Sequence, residues 1–316
     1  MPEIVTIGET MVSLAPGKSG FLRYADSFSP GVAGAESNVA VYASRFGHTS
    51  GWISRLGEDE FGYLIQNAVR AEGVDASQVK FVEGGRTGVM FRQMLPGRET
   101  SVFYYRNGSA ASGMDETDLP ETYLREAKIL HLTGITPVLS ESCLEMTQKA
   151  IKMARDWGCM VSFDPNVRKK LWGGQDYRGV LREMALEADI VLLGLEEGRM
   201  LFETEDPESL LKLLFQKGRA KYVAVKNGDR GAVAATREES VEIPPYPCHC
   251  VDPIGAGDAF NAGFLCGILE NLPVERCGKM GAAAGAMATE CVGDTGGCPS
   301  RRYLEDFLWG REEVAR

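Results

Sequence analysis

Apolar residues in this chain fall into short continuous runs, separated by stretches where they recur every three or four positions. Ile4-Val5-Thr6-Ile7 reads as a buried strand, and Ser37 to Phe46 as a helix with small apolar residues on one face. Gly51 to Leu56 predicts a strand and Phe61 to Ala71 a helix. Lys128 to Leu132 predicts a further strand, followed by an amphipathic helix from about Cys143 to Trp157. The strand signal returns at Met160 to Phe163, Asp189 to Leu193 and Tyr222 to Val225, with a helix over Arg178 to Ala188. Helices are also predicted over Gly255 to Glu270, Val274 to Thr289 and Arg301 to Leu308. Strands apolar on both faces, alternating with helices, predict an α/β fold with a mainly parallel sheet covered on both sides.

Two stretches break the alternation. From Thr87 to Arg106 the pattern is strand-like on both sides of Pro96-Gly97, which predicts a hairpin. Residues from about 11 to 30 are extended and rich in turn formers. Together they predict a small β-sheet projecting as a lid, built from about 11–30 and 87–106. The competing reading makes them edge strands of the main sheet. No internal repeat and no low-complexity segment is present.

Composition narrows the function classes. The 316 residues are 44% hydrophobic and 25% charged, as in ordinary globular proteins. Lys plus Arg number 34 and Asp plus Glu 44, so 34 − 44 gives a net charge of −10. That sign disfavours non-specific binding to a nucleic-acid backbone, so no nucleic-acid partner is expected. No apolar run reaches the roughly 20 residues that cross a bilayer, and Met1-Pro2-Glu3-Ile4 lacks the pattern of a secretory signal. The expectation is a cytoplasmic protein, without a membrane partner, whose eight cysteines are reduced thiols. Cys248-His249-Cys250 has poor zinc spacing and reads as structural filler.

One run carries chemistry on its own terms. Gly255-Ala256-Gly257-Asp258 opens a helical stretch with no bulky side chain in the way. Free N–H groups and the helix dipole at such an entrance favour an anion. A phosphoryl group in transfer spreads negative charge over its equatorial oxygens, which those donors stabilise. Asp258, in the first turn, could take the proton of an acceptor hydroxyl. The same residues also fit a plain N-terminal cap. Gly228 and Gly231, in Lys226-Asn227-Gly228-Asp229-Arg230-Gly231, permit positive φ and close approach to a phosphate or ribose. They fit an ordinary turn between Tyr222–Val225 and Ala232–Ala235 equally well.

Asp252-Pro253-Ile254-Gly255-Ala256-Gly257-Asp258, before a small-residue helix, resembles the C-terminal signature of the PfkB family of carbohydrate kinases. Gly31 to Ala40, then Gly47 and Arg55 to Gly62, resemble that family's N-terminal signature. The two lie in the family's order, so the likeness spans the chain. It implies a single three-layer α/β/α ribokinase-like domain over 1–316 with the lid inserted in it, using ATP and Mg²⁺. By the same resemblance Asp258 is the general base, and the amides of Gly255, Ala256 and Gly257 form the anion hole. Lys226, Gly228 and Gly231 would cradle ATP, and Gly34 and Asn38 contact the sugar, although Asn38 also fits a helix cap. Dimerisation through the lid is implied as well.

Phe103 to Ser112, and Ser162 to Arg168 with Leu171-Trp172, resemble segments of 2-keto-3-deoxygluconate kinases, the second also of bacterial fructokinases. The resemblance places Asp164 and Asn166 near the cofactor. For an acid sugar, Arg106 and Arg168 offer planar forks to a carboxylate, and Tyr104 a hydroxyl and a flat wall. Asp294, between late helices, stands where the family contacts nucleotide or substrate, or is a turn residue between glycines. Glu197 corresponds to the family's Asn-x-x-Glu element, tied to magnesium and phosphate. Three positions depart: Pro253 replaces Thr, Gly194 replaces the Asn of that element, and Met90 stands where acid-sugar kinases carry Tyr.

The expected reaction is transfer of the ATP γ-phosphoryl group to a primary hydroxyl of 2-keto-3-deoxygluconate, forming the 6-phosphate. The small-molecule alternatives are a fructokinase or ribokinase, and then a catalytically silent sugar sensor. A nicotinamide oxidoreductase is disfavoured, because Gly8-Glu9-Thr10-Met11 follows the first strand where Gly-x-Gly-x-x-Gly would be needed.

Overall fold

A computed structural model describes residues 1–98, 100–298 and 300–309, so the final residues of the expected 1–316 domain lie outside it. Among the described residues the strands are β1 (Ile4–Ile7), β2 (Met11–Pro16), β3 (Phe28–Ala33), β4 (Ser50–Gly57), β5 (Val79–Val82), β6 (Val89–Gln93), β7 (Ser101–Tyr105), β8 (Ile129–Thr133), β9 (Met160–Asp164), β10 (Ile190–Gly194), β11 (Tyr222–Lys226), β12 (Ala232–Ala235) and β13 (Ser240–Ile243). The helices are α1 (Ala35–Arg45), α2 (Glu60–Ala71), α3 (Glu121–Arg125), α4 (Glu141–Asp156), α5 (Arg178–Glu187), α6 (Leu195–Phe202), α7 (Pro207–Lys217), α8 (Ala256–Leu269), α9 (Val274–Ala288) and α10 (Arg301–Trp309).

Nine strands form one sheet in the order β13-β12-β11-β10-β9-β8-β1-β4-β5. It is parallel from β11 to β5, and β12 and β13 add antiparallel. Alternate residues of the Val/Ile/Leu-rich strands feed two large cores, and a smaller third cluster joins Trp52 and Leu56 of β4 to α1, α2 and Val12 of β2. Val191 and Leu193 pack with Met146, Leu181 and Leu214 from α4, α5 and α7. Ile190 and Leu192 pack with Tyr42, Phe264 and Met280 from α1, α8 and α9. A parallel sheet buried on both faces needs helices on both sides, and this one has them. Strand order reverses between β1 and β8, which opens a crevice outside the carboxyl ends of the strands.

α8 is buried along most of its length, from Asp258 to Ile268. Gly263 lies so close to the Met280 carbonyl of α9 that a Cβ would not fit. Small residues at this seam therefore fix where the N-terminus of α8 points.

The second sheet is separate, in the order β3-β2-β6-β7, and this decides against edge strands of the main sheet. β6 and β7 pair antiparallel around the expected turn, with Met90 opposite Tyr104. β3 runs to Ala33, past the expected limit at 30. Sequence patterning leaves β5, β13, α3, α6 and α7 unassigned. β5 is a four-residue, half-buried edge strand whose pattern is too short to stand out. α7 does carry a start signal, because Pro207 opens the helix and the Asp206 side chain accepts from Ser209 N at 2.8 Å.

Candidate active site

Three neighbouring strand ends bring polar groups to the crevice: Asp164 from β9, Gly194 from β10 and Lys226 from β11. Lys226 Nζ donates to Asp164 Oδ2 at 2.7 Å and to Asn261 Oδ1 at 3.1 Å, and Asn261 Nδ2 donates to Asp164 Oδ2 at 2.6 Å. Burial alone would raise the Asp164 carboxyl, but the Lys226 ammonium and these hydrogen bonds outweigh it and hold it below the ordinary range. Glu197, in the first turn of α6, accepts from Gly194 N at 2.7 Å and from Val167 N at 2.8 Å. Burial, with the Asp164 charge beside it, raises its carboxyl.

Across from these groups, Gly255 caps α8 in the left-handed region at φ 82°. Asp258 lies in the first turn, as an ordinary helix start would also have it, but no side chain caps this helix. Asp258 Oδ2 instead accepts from Asn38 Nδ2 at 2.7 Å, and the same amide reaches Asp294 Oδ2 at 3.1 Å. Asn38 thus bridges two buried carboxyl groups from α1. Burial pushes Asp258 up to about 7 and Asp294 up to about 6, helped at Asp258 by the Asp294 and Asp164 charges and at Asp294 by that of Asp252. A carboxyl tuned close to neutrality suits a general base.

Two cavities meet here. The first, about 770 Å³, is lined by Gly34, Tyr104, Arg106, Arg168, Asp258 and Asp294, with Asp164, Asn166, Gly194, Glu197, Gly255 and Met90 also on its wall. The second, about 800 Å³, is more apolar and is lined by Gly228, Gly231, Tyr246, Ala256, Phe260 and Ala286. Lys226, Pro253 and Gly257 belong to both. The backbone of residues 255–257 therefore stands at the junction, with Asp258 beside it on the wall of the first cavity. Of the site residues expected from sequence, all but Asn38 line one of these two spaces; Asn38, expected to contact the sugar, is buried behind Asp258 and Asp294 and lines neither. Asp164, Asn166 and Glu197, expected at the cofactor, face the first cavity beside Lys226 rather than the second.

Several details correct or extend the sequence reading. Gly228 and Gly231 do form a tight turn, at φ 58° and 89°, and that turn also walls the second cavity. Cys248 and Cys250 are exposed along the same wall. Arg106 is not free on the lid, because it is ion-paired with the buried Glu9, which in turn accepts from Ser109 Oγ at 2.5 Å. Glu9 and Asn261 were missed. Asn261 had a signal: it lies three positions after Asp258, on the same helix face. Glu9 had only its place just beyond the end of β1.

No cluster of three metal-ligating side chains occurs among the described residues. Mg²⁺ rarely needs one, since it keeps waters and rides on phosphates with one or two carboxylates. Glu197, at the cavity wall, fits that part.

A family model described as pfkB family carbohydrate kinase matches residues 1–301. The 2-dehydro-3-deoxygluconokinase of Bacillus subtilis is 36% identical over 99% of this chain and 97% of its own. A probable fructokinase-6 of Arabidopsis thaliana is 31% identical over 97% of this chain and 82% of its own. An E. coli protein described as a ribokinase II, solved in complex with ATP and Mg²⁺, superposes with a TM-score of 0.91 at 25% identity. That match covers 98% of this chain and all of the other. The chain belongs to the pfkB family of carbohydrate kinases.

Proposed function

We propose that this pfkB-family kinase moves the γ-phosphoryl group of ATP to a primary hydroxyl of 2-keto-3-deoxygluconate, giving the 6-phosphate. The observation that carries the proposal is the meeting of two cavities at the entrance of α8, with Asp258 on the wall of the first, next to the shared Gly257. The second, apolar cavity takes the nucleotide base, and its phosphates reach Lys226 and the 255–257 amides at the junction. Asp258 removes the proton of the acceptor hydroxyl, while those amides face the charge that develops on the phosphoryl oxygens. Glu197 would hold Mg²⁺ through the phosphates, and the ion would supply charge neutralisation. The four-stranded sheet serves as the lid, and covering the first cavity keeps water from competing with the sugar.

The acid group of the substrate fits the same cavity. Arg106 and Arg168 present guanidinium groups there, and Tyr104 lies under Arg106, whose Cζ is 5.7 Å from the ring centroid. In a panel of sugars with ATP and Mg²⁺, 2-keto-3-deoxygluconate should give the highest kcat/KM, and faster turnover of fructose or ribose would reject the substrate. Arg106→Ala should cost the acid sugar about 10- to 100-fold in kcat/KM, the worth of a charge-assisted hydrogen bond. Pairing it with Glu9→Gln avoids leaving a buried carboxylate alone. Neutral sugars should lose little, and equal losses on both would refute the clamp. A neutral-sugar kinase is the second reading. It is favoured by Met90, which puts a thioether in the first cavity where a hydroxyl was expected.

The outer face of the lid supports pairing of two copies. Phe103 and Tyr105 of β7 are exposed, and Phe28 and Tyr105 both stack edge-on against Phe91. Apolar rings in water on strands of this kind favour an interface. Sedimentation should register a particle of twice the chain mass, and Tyr105→Lys should return it to the monomer. A monomeric wild type would sink this assembly.

A further inference from the structure

The lid and the anion-hole loop are joined by a buried ion pair that the reaction as described does not use. Arg92 lies on β6, on the face that also turns Met90 inward, and is 1% exposed. Its guanidinium is paired with the carboxylate of Asp252, also 1% exposed, 160 positions away. Asp252 is no passive partner. Its Oδ1 accepts from Ile254 N at 3.3 Å, just before the capping Gly255, and its Oδ2 accepts from Gly293 N at 3.0 Å. The next residue, Asp294, offers its carboxylate to Asn38, and its carbonyl oxygen packs directly on Gly255. One carboxylate therefore holds both the turn that enters α8 and the loop that backs it.

We infer that Arg92 is a positioning residue that couples closure of the lid to assembly of the anion hole, so that the 255–257 amides are set only when the small sheet sits over an acceptor. This rests on the phosphoryl-transfer reading above. A buried ion pair is a weak source of stability compared with apolar packing, and its best-attested use is to specify register. Here it specifies the register of a separate sheet on the loop that opens α8. With the lid raised, both charges would return to water and the turn at 253–255 would lose its organising partner. Arg92 Nε, buried and without a hydrogen-bond partner among the described residues, marks a group placed for this one contact.

The test is steady-state kinetics of Arg92→Met, Arg92→Lys, Asp252→Asn and the Arg92→Met/Asp252→Asn double variant. They are measured on whichever acceptor the wild type turns over fastest, so that the result does not depend on which sugar that is. Arg92→Met should lower kcat by about 100-fold, the cost of misplacing reacting groups by an ångström. KM for ATP should stay near the wild-type value, because Arg92 does not line the nucleotide cavity. ATP hydrolysis without acceptor should rise relative to transfer, since an unlatched lid admits water. Arg92→Lys should recover part of kcat, and the double variant should be no worse than Arg92→Met. A kcat for Arg92→Met equal to wild type overturns the coupling, as do losses that multiply in the double variant. If Arg92→Met does not fold, the near-isosteric Asp252→Asn carries the same expectations and can overturn the coupling alone. A wild type inert towards every sugar would instead overturn the proposed function.

Discussion

Asp258→Asn should lower kcat by about a thousandfold or more, near the upper range of what a positioned general base contributes, and should leave the fold intact. Asn keeps the shape and an oxygen for the Asn38 amide, so only the ability to take a proton is lost. Burial holds Asp258 near 7, and the base must be ionised to work. Wild-type kcat/KM should therefore rise with pH through about 7 and level off, whereas the residual rate of the variant should lack that limb. Stability should run the other way. The folded value lies above the unfolded value of 3.8, so between roughly 4 and 7 the folded chain binds more protons than the unfolded one. Stability contributed by this group is thus complete below that window and falls as pH rises through it. Asn does not titrate, so thermal melts at pH 8 should show the variant to be the more resistant protein. A variant that is both inactive and less stable at pH 8 would contradict this account of the site.

Gly255→Ala should be the second severe lesion, and for a different reason. The residue caps α8 at φ 82°, a region that disfavours any side chain, and a Cβ would run into the Asp294 carbonyl oxygen. The helix entrance must move, and its donors move with it. Loss of one such donor typically costs about 10²- to 10³-fold in kcat, and a comparable fall is expected, together with a lower melting temperature. Gly257→Ala is the control for stability, since its Cβ would meet only Lys226 Nζ at 3.8 Å. A Gly255→Ala enzyme with wild-type kcat would mean that this turn does not set the anion hole.

These two positions were the most legible part of the site, because helix entry, small residues and the first-turn carboxylate lie within four consecutive residues. The parallel sheet was legible for a similar reason, since strands buried on both faces read as unbroken apolar runs. What escaped was non-local. Arg92 and Asp252 each look ordinary in sequence, and only folding brings them together across 160 positions. Arg106 was recognised as a cation facing the acceptor, but its partner Glu9 could not be named from the pattern of either segment. Asp294, equally readable as a turn residue between glycines, gained its meaning from the Asn38 amide that ties it to Asp258. The unassigned helix α6 shows a third limit, because Gly194 to Glu197 drew attention as a motif and hid the start of a helix.

One face of the small sheet keeps its own minor cluster, in which Met11, Ala33 and Met90 pack with Val102 and Tyr104, while Val12 and Val89 on the other face pack on the main domain. Several of the same side chains shape the acceptor cavity. The side chains that shape that cavity are therefore largely different from those that aim Asp258, although the two sheets are tied by Val12 and Val89 packing on Trp52 and Ile65 and by the Arg92–Asp252 pair. Exchanges at Met11, Met90, Val102 or Tyr104 can retune which alcohol is accepted while the α8–α9 seam, and with it the aim of Asp258, stays untouched.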